Sequence, residues 1–153
     1  MKALIQRVSS AKVEVGTTIL GQIDCGLLVF IGVEENDNKE DIDYLVKKIS
    51  GLRIFSDDDN KMNLSIKQIN GSLLIVSQFT LIADTRKGNR PSFNNAANPT
   101  KGFEYYMNLI NKFEHAGIPV ESGEFGAAMN VTLVNDGPVT IWLDSKDRNR
   151  PRN

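Results

Sequence analysis

The residues able to do chemistry are few, and their scarcity narrows the options. The chain has one histidine, His115, and one cysteine, Cys25. A Ser-His-Asp or Cys-His arrangement must therefore use His115 or not exist. Zinc sites built from several His or Cys ligands are excluded. His115 falls at the end of a helical stretch, where an imidazole on the surface suits the helix dipole. Cys25 precedes an apolar run and reads as an inert core thiol. Asp57-Asp58-Asp59-Asn60 has the acids of a calcium loop. It lacks the glycine and closing glutamate of an EF-hand, so a solvated turn is the plainer reading. With no Walker A or G-x-G-x-x-G pattern either, neither a cofactor nor a metal is expected.

Residues 73–81 are different. An apolar strand switches at Ser77-Gln78-Phe79-Thr80 to hydroxyl, amide, aromatic and hydroxyl, and a long loop carrying Arg86, Lys87 and Arg90 follows. Serine and threonine in a strand are often strand formers and nothing more. Gly137-Pro138, between two strand-like runs, is the second unusual place. It reads as a hairpin turn, since proline cannot donate to a ladder, and an X-Pro bond in a tight turn can be cis.

The elements that would position these groups follow from periodicity. Residues 2–8 alternate, with Leu4, Gln6 and Val8 on one side and Ala3, Ile5 and Arg7 on the other, which predicts a strand. Val13 and Val15 continue the alternation before a turn at Gly16-Thr17 and a strand over 18–23. The unbroken apolar run 26–33 predicts a central strand buried on both faces. Ile42, Leu45, Val46 and Ile49 have helical spacing, and Gly51 sits where that helix would stop. A short strand over 52–55, a polar turn over 56–63 and a long strand over 72–83 follow. Asn98-Pro99 is a helix start, with Phe103, Met107, Ile110 and Phe113 as one stripe, and strands are expected over 126–134 and 139–143.

Two helices are too few to cover both faces of a large parallel sheet. The fold class expected is mixed α and β: layered, largely antiparallel or mixed sheets with the two helices on one side, in a single domain. The 153 residues suit one domain, and 41% apolar with 24% charged residues exclude wholesale disorder. The longest apolar stretch, 27–33, is far below the roughly 20 residues of a membrane helix. The opening M-K-A-L-I-Q-R meets charge too early for a signal peptide, and a lone cysteine suits a reducing compartment, so a cytoplasmic location is expected. Net charge is −1. Any RNA contact must then be local, through 86–90 or through Lys146, Arg148, Arg150 and Arg152 near the C-terminus.

Taken together, S-Q-F-T-L at 77–81, K-G-N-R-P-S-F at 87–93 and N-D-G-P-V-T at 135–140 resemble the D-aminoacyl-tRNA deacylases. The opening M-K-A-L-I-Q-R-V and G-E-F-G-A-A-M-N at 123–130 extend the resemblance over the chain in consistent order. It implies a catalytic domain over 1–146; the last seven residues, 147–153, read from composition as a basic, flexible tail and are the part the resemblance explains least. The implied activity is hydrolysis of the ester joining a D-amino acid, or glycine, to the 3′ end of tRNA, a chiral proofreading step that spares L-aminoacyl-tRNA. The resemblance implies a homodimer in which Ser77, Gln78, Phe79 and Thr80 surround the scissile carbonyl. Gly137-Pro138, in the cis form, would enter the other subunit's pocket, supported by Arg7 and with Met129 beside it. Arg86, Lys87 and Arg90 follow the catalytic strand, where tRNA phosphates would pass.

An aminoacyl ester is already activated, so such an enzyme needs positioning and an oxyanion hole, for which backbone N–H groups near Gln78 and Phe79 are candidates. The general base is the gap. An unassisted Thr80 hydroxyl is a poor nucleophile, and the resemblance offers the 2′-OH of the terminal adenosine instead. A module that binds the acceptor end without chemistry, and a general esterase using Thr80 or Ser77, remain the rivals.

Overall fold

The computed structural model describes residues 1–151. In chain order the elements are β1 (Lys2–Val15), β2 (Thr18–Ile23), β3 (Gly26–Gly32), α1 (Lys39–Gly51), β4 (Phe55–Ser56), β5 (Met62–Leu64) and β6 (Ser72–Ser77). A 3₁₀ turn (Phe79–Ile82), α2 (Pro99–His115), β7 (Val120–Ser122), β8 (Asn130–Asp144) and a second 3₁₀ turn (Ser145–Asn149) follow. The main sheet runs β2-β1-β3-β6-β7, with β8 added along β1. β1 is antiparallel to β2, β3 and β8, whereas β3–β6 and β6–β7 are parallel. The sheet is therefore mixed, and both helices pack on one side of it, as the strand and helix count requires.

β1 serves two cores because it changes parity in the middle. Ala3 and Ile5 join β3, β6 and the apolar faces of both helices in the larger core, while Val8, Ala11 and Val13 turn to a second core with Ile23, Leu28, Leu74 and Val76. The change falls where the β1–β8 register slips, between Gln6 and Ser10. The sheet curls around the second core until β2 approaches β7: a Cβ on Gly21 would lie 3.1 Å from Ser122 O. The result is nearly a barrel. β3 and β6 meet as closely at Gly26, where a Cβ would fall 1.9 Å from Ser72 O, so no side chain fits there.

Helix starts follow the capping chemistry. Asn38 accepts from Glu40 N–H at 2.9 Å while Asp41 accepts from Asn38 N–H at 2.8 Å, a reciprocal box. Asn98 accepts from Lys101 N–H at 3.0 Å with Pro99 behind it.

Several expectations are corrected. The strand from residue 72 ends at Ser77 instead of running to 83, because the chain turns into a 3₁₀ helix at Phe79. Residues 2–15 form one strand, and residues 130–144 form another. The strand expected over 52–55 shrinks to β4, which pairs with β5 inside the segment read as turn. The buried face of α2 is Gly102, Tyr106, Leu109, Ile110 and Phe113. Phe103 and Met107 are turned outward; Phe103 packs edge-on against Phe125 instead. Cys25 is exposed, since it lies in the bend between β2 and β3 and not in the strand. The C-terminal segment read as a tail starts inside the last 3₁₀ turn, where Arg148 is hydrogen-bonded to Asp41. Of that segment, Arg152 and Asn153 lie outside the described residues. No helix among the described residues is long and apolar enough to cross a membrane.

Candidate active site

A cavity of about 610 Å³ opens where β6 gives way to its 3₁₀ turn. Ile31, Val33 and Val76 form its floor, Ser77, Gln78 and Phe79 one wall, and Ala96, Ala97, Pro99, Gly102 and Tyr106 the opposite wall. Phe125, Met129 and Val131 close a third side. Phe79 is exposed at the mouth and meets Phe93 edge to face, with ring centroids 5.0 Å apart. The Tyr106 hydroxyl donates to Ile75 O at 2.8 Å. Burial pushes its phenol up to about 12, so it holds β6 in place as a neutral donor and exchanges no proton near neutral pH.

The end of β6 owes its shape to one hydrogen bond. Gln78 N–H still donates to Ile31 O at 2.7 Å, as a ladder residue would. The next residues leave the ladder, and the first N–H groups of a short helix have no partner within it. Of the two amides named from the sequence as oxyanion donors, Gln78 is therefore engaged, while the N–H of Phe79, which lines the cavity, donates no backbone hydrogen bond among those of the described residues and remains the candidate. Thr80 stands outside the cavity lining, and its hydroxyl accepts from Gln78 Nε2. His115 is exposed, with Nδ1 2.7 Å from Asn111 O. It lies thirteen residues beyond Gly102, about 20 Å along the helix axis. Among the described residues the only side-chain hydrogen bond of Thr80 is the one from Gln78, and no His, Asp or Glu bonds to it. Among the described residues no cluster of three or more His, Cys, Asp or Glu is arranged to hold a metal.

Gly137-Pro138 is not a hairpin turn. On β1, Gln6 pairs with Thr140 and Val8 with Asn135, so Arg7 alone faces four residues, 136–139, which loop out of one continuous strand. Proline's missing N–H makes this position unfit for the ladder. The Gly137-Pro138 bond is cis, and Gly137 has φ 132°, open only to glycine. Arg7, buried, fixes the excursion from below: Nε donates to Asp136 O at 3.0 Å and Nη1 to Ile54 O at 2.6 Å. Asn135 Nδ2 spans its neck, donating to Arg7 O at 3.2 Å and Val139 O at 3.0 Å.

The structure thus brings Ser77, Gln78, Phe79 and Met129 to one cavity and leaves Arg7, Gly137 and Pro138 apart from it. Arg7 is level with Leu27 on β3 and Ser77 with Ile31. Four residues separate those levels, about 13 Å along the strand. In the basic loop, Arg86 is held by Asp84, with Nε 2.9 and 3.1 Å from its carboxylate oxygens. That pairing pulls the Asp84 carboxyl down to about 2. Lys87 and Arg90 are exposed. Sequence reasoning did not name Ala96, Ala97 and Tyr106, which line the cavity opposite Ser77–Phe79, nor Phe125 individually, although its segment 123–130 was singled out. The unusual length of the 84–98 loop was a signal for the first two. Tyr106 carried no local signal, standing outside the stripe read for that helix.

Comparison with known proteins identifies the family and the fold. The family described as D-Tyr-tRNA(Tyr) deacylase matches residues 4–144. A D-aminoacyl-tRNA deacylase of Thermosipho africanus is 57% identical over 146 residues, covering 95% of this chain and 98% of its own. One from Thermotoga petrophila is 56% identical, with 95% and 97% covered. Among solved structures, the c-Myc DNA Unwinding Element Binding Protein superposes with a TM-score of 0.90 at 36% identity, covering 94% of this chain and 98% of that one. A probable eukaryotic D-amino acid tRNA deacylase shares the fold at 15% identity and a TM-score of 0.73, with 93% and 97% covered. From Leu4 to the end of β8, the chain belongs to the D-Tyr-tRNA(Tyr) deacylase family.

Proposed function

We propose that this protein hydrolyses the ester of D-aminoacyl-tRNA and glycyl-tRNA, spares L-aminoacyl-tRNA, and does so as a symmetric homodimer in the cytoplasm, where aminoacyl-tRNA is used. The observation that carries the reading is the separation just described: a cavity flanked by residues 77–79, and an exposed, braced Gly137-Pro138 excursion that cannot reach it within one chain. An isologous dimer resolves the mismatch, since each copy's excursion then enters the other's cavity.

The chemistry asks little of the protein. With the ester activated, one oxyanion donor is worth ~3 kcal/mol, and the Phe79 N–H is the candidate. Thr80, hydrogen-bonded to Gln78 and lacking a base, is not the nucleophile in this reading. The 2′-OH of the terminal adenosine assists the attack on the carbonyl, while the cavity positions it. Discrimination is steric. With the amino and carbonyl groups fixed, D- and L-residues differ only in where Cβ lies, and rigid backbone atoms of the partner's Gly137 and Pro138 fill the space an L-Cβ needs. Glycine has no Cβ and passes.

The direct test is deacylation of D-tyrosyl-, glycyl- and L-tyrosyl-tRNA beside a simple ester. The first two should be cleaved and the last two spared. Efficient cleavage of the L-ester refutes the stereochemical reading. Rapid cleavage of the simple ester favours a general esterase, and binding without turnover favours an acceptor-end binding module.

Binding of the RNA body should be local and electrostatic. Neutralising exposed Lys87 and Arg90 should reduce the slope of log K against log salt by about 1.5, at 0.7–0.9 per phosphate contact. Arg86, already paired with Asp84, should matter less. An unchanged slope in the double variant removes this loop from the RNA surface.

A further inference from the structure

Three carboxylates stand behind the cavity wall and have no part in the reading above: Glu34, Asp37 and Asp41, which are 6%, 5% and 3% exposed. Carboxylates removed from water persist only when paired and hydrogen-bonded, and the C-terminal basic residues supply much of that pairing. Lys146 Nζ lies 3.0 and 2.9 Å from the two Glu34 carboxylate oxygens. Ser145 Oγ donates to Asp41 at 2.7 Å, and Arg148 is hydrogen-bonded to the same oxygen. Asp37 accepts from Glu34 N–H at 2.6 Å and from the Met1 amino group. Arg150 is spent on Asp147 at 2.9 Å.

Glu34 is also one residue from the cavity. Val33, Ala96 and Ala97 line it. Ala97 N–H donates to Val33 O at 2.9 Å, Glu35 N–H donates to Asn95 O at 3.0 Å, and Glu34 bridges Ala96 across the strand-like pair. The backbone of 33–35 is thus the rail on which the 95–97 wall hangs, and the ion pair grips that rail from outside.

We propose that the basic C-terminal turn is a clamp on the substrate cavity rather than an RNA contact, with Lys146 and Glu34 as positioning residues for the Ala96-Ala97 wall. The consequence for turnover rests on the deacylase reading. The mechanical claim does not.

The test uses the full chain carrying Lys146→Met, with Lys146→Arg as the conservative control. Lys146 is mostly exposed, and its loss leaves both cores untouched. In Lys146→Met, hydrogen exchange at the Glu35 and Ala97 amides should rise about tenfold while β3 amides keep wild-type rates. KM for D-aminoacyl-tRNA should rise about fivefold with kcat nearly constant. Lys146→Arg should restore both, and the salt slope of tRNA binding should equal that of wild type. The double variant Glu34→Gln/Lys146→Met leaves no unpaired buried carboxylate, and the Met1 ammonium, 3.7 Å from Glu34, keeps Asp37, so it should show the same fast exchange. Wild-type exchange in the double variant overturns the clamp, as does a shallower salt slope in Lys146→Met, which would make Lys146 an RNA contact. Should the wild type fail to deacylate any tRNA, the functional reading falls while the exchange measurement still decides the clamp.

Discussion

Gly137→Ala is expected to lower D-aminoacyl-tRNA turnover by a factor on the order of 10², the penalty for misplacing a positioning group by about 1 Å. The reason is local and steric. At φ 132° an L-side chain is strained whatever the space, and the space is absent. A Cβ there would lie 2.8 Å from Arg7 Nη2, 2.9 Å from Val139 Cγ2 and 3.2 Å from Val139 N. The guanidinium cannot swing aside freely, because it is hydrogen-bonded to the carbonyls of Asp136 and Ile54. The excursion must therefore move, at about 1–3 kcal/mol of stability, while both cores stay intact. Gly16→Ala is the control. Gly16 also has a positive φ, but a Cβ there meets nothing within 4 Å, and the hairpin tip is remote from the cavity. Steady-state kinetics beside denaturation midpoints should show similar small stability losses for the two variants and a turnover loss for Gly137→Ala alone. Full activity in Gly137→Ala would detach the excursion from catalysis.

The second large effect belongs to the substrate. A D-aminoacyl-tRNA ending in 2′-deoxyadenosine, with the amino acid on its 3′-OH, should react about 10²–10⁴-fold more slowly, the usual worth of a positioned acid or base. Thr80→Ala should lose less than about tenfold, the scale of one neutral hydrogen bond. The structural basis is that the Thr80 hydroxyl stands outside the cavity lining, accepts from Gln78, and among the described residues is hydrogen-bonded to no His, Asp or Glu. Single-turnover rates with the two substrates and the two proteins check this. A trapped acyl-Thr80, or fast turnover of the deoxy substrate, would contradict it.

Much of the scaffold is legible in the residues. The helical spacing of Ile42, Leu45 and Ile49 and the Asn98-Pro99 start mark the two helices because helix signals are local. The unbroken apolar run marks β3 as the doubly buried strand for the same reason. What failed depends on partners far away in sequence. The end of β6 is decided by Gln78 making the last bond to Ile31, after which the register with β3 runs out. No alternation within 72–83 records that limit. Gly137-Pro138 reads as a hairpin turn because only its pairing partner, β1, reveals that the strand continues in the same direction beyond it. The outward turn of Phe103 depends on Phe125, twenty-two residues later, offering a ring to pack against. The cavity divides the same way: Ser77, Gln78, Phe79 and Met129, named from the sequence, line it, whereas Ala96, Ala97 and Tyr106, which carry no local signal of their own, were not named.

Subunit complementation tests the composite cavity most directly. Gly137→Ala keeps an intact cavity but presents a disturbed excursion. Ala127→Trp fills the cavity, whose lining includes Ala127, and keeps the excursion. Each protein alone should be nearly inactive on D-aminoacyl-tRNA. Unfolded, mixed in equal amounts and refolded together, they should regain about one quarter of wild-type sites, because half of the dimers are mixed and each mixed dimer rebuilds one complete site. No recovery from correctly formed mixed dimers, or wild-type activity from a species that light scattering shows to be a monomer, would contradict a site shared between two chains.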